Sequence, residues 1–592
     1  MTQDIYILSM TLGHNATAAI SKNAEIIATA SEERFTRVKN VYGYPKEAIA
    51  YCLKEAHIPS SRLDLVVLAS RITPPLLQTE DGFKEASPEH VIQKNWFSTL
   101  SKIRKKLKKV KIVDTALYNM AAPIFAKKTH LQRVALLSHV LNVDKSRIIS
   151  SEHHLTHAYA GIFSSDILYA SKGKKLLVIT VDGEGDMLSA TVGIFDKETD
   201  TYKRIASSGY AESLGHFYSA ITAYLGMKML EHEYKVMGLA PYSFSRQAEE
   251  LYKEFRKYIW IDDELCIRTA VHSHEFEPLL EKICKRVRFD YVAAAAQRIV
   301  EVLLVELVKK SIVKTGIHSI ILSGGVFMNV KANYEIIKLP EVEKIFIMPS
   351  SGDESLPIGS CYYGMQITNK ELLKTIKPIT NLYYGPSFTN KEIEAAIKKS
   401  EFAYRFRGKE INQEIARLLA KGQVVARYAG RMEFGARALG NRSILSDASR
   451  EEVLEEINRM IKMRDFWMPF APSILAEHAY RYIKHPELLN KINPFFMTVT
   501  FESTPLAQKD LKAAIHPADK TLRPQFVTKE MNPEYYDLLR EYAKKTGRYG
   551  LLNTSFNIHG EPIVCTPEDA LYTLRNSGLK YAAIGQYMVF KR

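Results

Sequence analysis

Residues 5–30 and 175–206 of this chain follow one plan, and a plan used twice constrains the fold more than composition does. In the first copy, apolar and polar residues alternate over 5–10, 17–21 and 25–30, with turn signals at Gly13-His14-Asn15 and Lys22-Asn23 between them. The second copy runs through 175–181, the turn Asp182-Gly183-Glu184-Gly185-Asp186, then 188–195 and 202–206. Alternation of period two between turn residues predicts a three-stranded meander each time, and the recurrence predicts an internal duplication. Further apolar strands at 63–69, 319–322 and 344–348 alternate with helical patterns, which predicts an α/β class of mixed sheets covered by helices.

A chain of 592 residues is too long for one core. A polar, Lys-rich stretch at 365–385, with Pro378 and Pro386 after or within it, divides 1–375 from 376–592. Lys and Arg number 81 against 66 Asp and Glu, and the resulting +15 favours anionic ligands. Within the first part, 73–131 reads as a helical insertion, very basic at 102–111 (KIRKKLKKVK). A solvated face is its plain reading; docking of an acidic partner or nucleic acid is the other. The five cysteines are scattered and never form C-x-x-C, so neither a disulfide framework nor a zinc ribbon is expected. The first residues have no basic leader pattern, and the apolar stretch 291–308 carries Gln297, Arg298, Glu301 and Glu306, so no membrane span is expected and a cytoplasmic location is.

Three groups of residues carry chemistry. In His153-His154-Leu155-Thr156-His157, a helix places His153 and His157 four apart on one face, where two imidazoles can grip one cation. Asp353, in the loop Pro349-Ser350-Ser351-Gly352-Asp353-Glu354 after a strand, is the candidate third ligand, with helix capping as its alternative role. Two imidazoles and a carboxylate suit iron, manganese or zinc. The second group is a pair of glycine turns after strands, Asp182-Gly183 and Gly324-Gly325, whose N–H groups can close on phosphate while the carboxylate holds magnesium or a hydroxyl. The third lies in the C-terminal part: Glu433, Arg437, Asn441 and Arg442 within 430–444, then Lys462, Arg464, Arg523, Asn553 and Ser555. Guanidinium forks, an ammonium and small polar groups are what a triphosphate and a second phosphate-bearing substrate need.

The duplicated meander, the H-x-x-x-H, the SGGV turn and the SGDES loop resemble the actin-like ATPase superfamily. With EYKVMGLAPY at 233–242, GRMEFGARALGNRSIL at 430–445, MPFAPSIL at 468–475 and LLNTSFNIHGEPIV at 551–564, the chain resembles the O-carbamoyltransferases of the nodulation-factor, cephamycin and tobramycin type over essentially its whole length. Ala436 stands where that family is expected to have proline, and Asn15 where aspartate is common.

The resemblance implies an actin-like, metal-binding transfer domain over 1–375 and a YrdC-like domain over 376–592. It implies that carbamoyl phosphate and Mg-bound ATP give carbamoyl adenylate in the second domain, and that the carbamoyl group passes to an acceptor hydroxyl in the first. Under it, His14 is the candidate base or hydroxyl orienter, with turn capping as the alternative, and Glu233 and Lys235 are catalytic, with a structural ion pair as the alternative. Glu433 and Arg437, four apart, serve the nucleotide site or brace a helix. Iron is the first expectation for the metal, the acceptor is a small molecule or sugar, and a homodimer is the family's common assembly. The rival reading is a fused tRNA threonylcarbamoyladenosine-type enzyme, which the positive charge suits but the C-terminal motifs do not.

Overall fold

The computed structural model describes residues 4–72, 76–79, 82–85, 126–127, 129–170 and 173–591. Both meanders form, at Tyr6–Thr11, Thr17–Lys22 and Glu25–Ser31, and at Lys175–Gly185, Leu188–Asp196 and Thr201–Gly209. Each is extended by two parallel strands on the free side of its first strand: Leu65–Leu68 and Ile148–Ser150 in one sheet, Ser319–Ser323 and Lys344–Ile347 in the other. The two five-stranded sheets therefore share strand order and orientation, and the repeat seen in the sequence is a repeat of topology. In each half a helix follows the fifth strand, His153–Ser164 in one and Leu356–Asn369 in the other. These helices pack on each other so closely that a side chain at Gly359 would meet the Thr156 carbonyl at 2.0 Å.

Residues beyond 402 build a separate eight-stranded sheet in the order Ala403–Phe406, Tyr587–Phe590, Tyr581–Ile584, Val425–Tyr428, Arg442–Ser446, Gly550–Ser555, Ala471–Leu475, Gln525–Val527. Its strands are apolar on both faces. Val425, Leu445 and Leu551 join one core beneath the helices Ile411–Ala420 and Pro533–Thr546, while their neighbours Ala426, Ile444 and Leu552 join another. That second core also takes in Leu177, Phe217 and Leu303 of the N-terminal half, so apolar packing is continuous between the two parts.

The stretch 365–385, where the sequence places the boundary, packs its apolar residues: Leu373, Ile376, Ile379 and Leu382 are buried in a core with Ile7 and Val67. Two expectations change. Within 73–131, Leu76–Thr79 and Gly82–Glu85 pair as antiparallel strands where a helical pattern was read; the basic run 102–111 lies outside the described residues. The turn read at 182–186 is mostly strand: Lys175–Gly185 runs on through it, with a break in register between Val181 and Gly185. No helix among the described residues is long and apolar enough to cross a membrane.

Candidate functional site

The strand ends of both halves converge on one place. The helix His153–Ser164 begins with Glu152, whose carboxylate accepts from the N–H groups of His154 and Leu155, and the half-buried Asp186 accepts the N–H of His153. This start fixes the first turn, so His153 and His157 point the same way, as the four-residue spacing predicts. They meet Asp182 from the last turn of Lys175–Gly185 and Asp353 from the loop after Lys344–Ile347. Nε2 of His157 lies 2.8 Å from Asp182 and 3.7 Å from Asp353; Nε2 of His153 lies 3.5 and 3.6 Å from the same carboxylates. One atom from each of the four falls within 4.8 Å of the others.

The donor set fits a divalent metal. Two imidazole nitrogens and two carboxylates converge, and Ser70 Oγ sits 3.1 Å from His153 Nδ1, which leaves Nε2 turned to the group. Burial pushes His153 down, but Asp353, Asp182 and Asp186 outweigh it and hold the imidazole up to about 9. Burial likewise opposes the charge on Asp182, yet His153 and His157 keep its carboxyl well below the usual range. His154 takes no part. Burial and the neighbouring His153 push it down to about 3, and its Nδ1 bonds Thr180 Oγ1 at 2.8 Å.

Asp182, assigned from the sequence to phosphate, thus stands among the metal-type donors, and its place explains the glycines around it. A Cβ at Gly185 would sit 2.1 Å from the His153 ring; at Gly325, 2.9 Å from Asp182 Oδ1; at Gly215, 2.8 Å from the backbone of Asp182 and Gly183. Gly324 has φ +102° and would collide with the Val181 carbonyl. His216, which no spacing in the sequence singles out, faces Gly183, and burial, then His274, pushes it down to about 4.

Asp182 and Asp353 form part of the wall of a cavity of about 680 Å³. His14, Glu233, Gly183 and Gly325 line it as well, and so do Arg437, Lys462, Arg464, Arg523 and Ser555 from the C-terminal part. Lys462 is buried, with Nζ bonded to Ser555 Oγ (3.1 Å), the Asn557 carbonyl (3.2 Å) and Asn557 Oδ1 (2.7 Å). Burial, then Arg464 and Lys39, drives this ammonium well below its ordinary value. Arg464 lies over the Phe470 ring, and burial and Arg437 push it down to about 10; burial, Arg437 and Arg464 lower Arg523 in turn. None of the four makes an ion pair among the described residues. A crowd of cations without acids is a site waiting for anions.

Of the other residues assigned from the sequence, Glu433, Asn441, Arg442, Asn553 and Lys235 do not line this cavity. Residues 430–444 are not helical: a loop joins Val425–Tyr428 to Arg442–Ser446, turning at Gly430, Gly435 and Gly440, all with positive φ. Glu433 and Arg437 therefore do not brace a helix. Glu433 is fully buried and accepts the N–H groups of Leu439, Asn441 and Arg442. Arg442, expected on phosphate, is turned inward onto main-chain carbonyls and the Tyr428 ring. Asn441 joins Arg427 and Asn532, and Asn553 joins Ala438, Ser473 and Gln525. Glu233 and Lys235 do not pair: Glu233 accepts from Ser219 (2.8 Å) and the Leu230 N–H (2.7 Å), and Lys235 pairs with Asp465 at 3.1 Å. His14 presents its ring to Tyr42 at 5.5 Å between centroids.

Two family models match the chain, Carbamoyltransferase N-terminus over residues 6–362 and Carbamoyltransferase C-terminus over 416–591. An uncharacterised protein of Methanocaldococcus jannaschii is 29% identical over 99% of both chains. Nodulation protein NolNO of Sinorhizobium fredii is 27% identical over 99% of this chain and 80% of its own. The 3'-hydroxymethylcephem-O-carbamoyltransferase of Streptomyces clavuligerus is 36% identical over 25% of this chain and 26% of its own. With its paired sheets inside the first match and seven of the eight strands of its C-terminal sheet inside the second, the chain belongs to the carbamoyltransferase family, and it is an enzyme of that class.

Proposed function

We propose that the protein is an ATP-dependent O-carbamoyltransferase with an actin-like transfer domain over 1–375 and a YrdC-like domain over 376–592. Water first cleaves carbamoyl phosphate to carbamate and phosphate; a carbamate oxygen then attacks the α-phosphorus of ATP, held with magnesium, which gives carbamoyl adenylate and releases pyrophosphate. An acceptor hydroxyl then takes the carbamoyl group and AMP leaves. The observation that carries the reading is one cavity of about 680 Å³ with two unlike groups on its wall: Arg437, Lys462, Arg464 and Arg523, which make no ion pair among the described residues, and Asp182 and Asp353 of the His/Asp group.

Residue chemistry supports the division. Forming a mixed anhydride brings several anionic groups together, which needs positive charge that requires no reorganisation. Burial first, and neighbouring cations next, lower Lys462 and Arg523, and an anion placed among them would offset both costs. Ser555 and Asn557 steer the Lys462 ammonium. Transfer needs a proton acceptor for the hydroxyl, and His14, from the first meander turn, is the candidate among the imidazoles that line the cavity outside the His/Asp group. Glu233, fixed by Ser219 and the Leu230 N–H, orients groups on the same wall. Lys235, through Asp465, holds the segment that carries Lys462 and Arg464.

His153, His157, Asp182 and Asp353 would hold the metal, iron before manganese or zinc. When bound, it supplies a Lewis acid for the charge of the leaving phosphate.

The test is pyrophosphate release from ATP by the purified enzyme. Release should depend on carbamoyl phosphate and need no acceptor. Release that ignores carbamoyl phosphate, or none at any metal loading, would overturn the donor chemistry.

A further inference from the structure

The described residues expose nineteen large hydrophobic side chains, and six of them sit in three short segments around the cavity mouth. These are Val38 and Tyr42, Met229 and Leu230, and Met463 and Phe466. Leu230 itself lines the cavity, and Met463 stands between Lys462 and Arg464, which also line it. Phe466 is 72% exposed, Met463 70% and Leu230 49%. Ion pairs hold the segments together: Lys39 to Glu231 at 3.0 Å, and Lys235 to Asp465 at 3.1 Å. The aromatic ring of Phe466 rests edge-on against Tyr242 and Trp467, so one face is supported and the other is open.

Two of these side chains are displayed at a cost. Leu230 and Met463 have φ of +60° and +42°, a region where a branched or long side chain is disfavoured and glycine is at ease. A chain that only needed the turn would gain by losing the side chain, so the outlier points to a use for it. Apolar surface gathered at one place on a polar exterior marks a binding face. Because the patch continues into the cavity, whatever covers it also stands at the entrance, which disfavours a permanent interface with a second copy.

Charge narrows the occupant. The rim carries Lys39, Lys228, Lys235, Lys462 and Arg464 against three carboxylates: Glu231, taken by Lys39 and Lys228, Asp465, taken by Lys235, and Glu233, held by the Ser219 hydroxyl and the Leu230 N–H. The balance is positive, which favours a neutral or anionic occupant over an ammonium group. We infer that the carbamoyl acceptor is an amphiphile, uncharged or anionic, whose hydroxyl-bearing head enters the cavity while its apolar part lies on the rim built by residues 38–42, 228–235 and 462–466. This rests on the transfer reading above and adds the class of acceptor to it.

The test uses the full-length enzyme, with octyl β-D-glucopyranoside below its micelle threshold and methyl β-D-glucopyranoside as probes, and binding read by calorimetry. The octyl compound should bind at least tenfold more tightly, with about a fourfold gain for each methylene that is buried. Met463→Asn, which suits the backbone there, and Phe466→Ser should each cost most of that gain while melting temperature stays unchanged. Pyrophosphate release, followed in parallel, should be unaltered in both variants. Equal affinity for the two glucosides, or a preference that survives both substitutions, would overturn the inference. So would octyl glucoside that acts only by splitting a dimer, or a rim that binds phosphatidylglycerol vesicles and neither glucoside. A wild-type enzyme that releases no pyrophosphate would sink the donor chemistry and leave the binding result to decide the rim by itself.

Discussion

The guanidinium of Arg442 is fully buried, with the carbonyl oxygens of Ala429, Gly430, Asn441 and Pro386 around it and the Tyr428 ring 3.7 Å from its carbon. Arg523 has the opposite surroundings: it faces the cavity, and its nearest charges, Arg437 and Arg464, repel it. The same side chain thus does two jobs, and substitution separates them. Arg442→Ala leaves four carbonyls without their donor and should cost about 3 kcal/mol or more of stability. Arg523→Ala relieves repulsion, so its melting temperature should hold or rise, while pyrophosphate release should fall about 100-fold. Thermal melts and the release assay on both variants check this. A stable, donor-dead Arg442→Ala enzyme beside an unstable, active Arg523→Ala enzyme would reverse the assignment. Sequence could not tell the two arginines apart, because the direction a guanidinium takes is set by strands that meet only in the fold.

At the scale of elements, the strand Lys175–Gly185 and the helix His153–Ser164 touch where Gly185 lies against the His153 ring. Gly185 has no positive φ, so alanine is allowed by the backbone and its methyl group acts only through the 2.1 Å clash. Gly185→Ala should turn the imbidazole aside and lower metal affinity at least tenfold. Elemental analysis after dialysis against a weak chelator reads this, and wild-type metal content in the variant would show that His153 is no ligand. The meanders and the H-x-x-x-H helix were legible in the sequence because both rest on local spacing, period two between turn residues and four residues on a helix face. Asp182 as a partner of those histidines was not legible. Its turn looked like a phosphate loop, and only the crossing of two sheet halves brings it to the helix. The loop before Arg442 was misread for a like reason: its conformation is fixed by the N-terminal half, through Arg34 to the Gly435 carbonyl and Ser350 Oγ accepting from the Ala436 N–H.

The whole molecule is bound across that seam by more than one loop. Arg37 donates to the carbonyls of Ile563 (2.7 Å) and Pro562 (2.8 Å), Arg431 to the Ile27 carbonyl (3.1 Å) and the Tyr51 hydroxyl (3.0 Å), and His516 meets the Gly238 carbonyl at 2.8 Å. Ile345, in a strand of the second N-terminal sheet, donates its backbone N–H to Lys491. Beneath these bonds one apolar core holds Leu303 and Phe217 with Ile444, Tyr482 and Phe526. Two sheets that share a core lose it together, since neither can expose its side to water without giving up burial worth about 25 cal/mol per Å². The full chain should therefore unfold in one calorimetric transition, although it carries separate sheets on either side of residue 376. Residues 376–592 produced alone should bind a hydrophobic dye and melt without a sharp transition. Two well-separated transitions in the full chain, or a sharply melting C-terminal half, would show that the halves are independent. The cavity would then be a gap between two bodies, and its cationic group could be assayed without the His/Asp group.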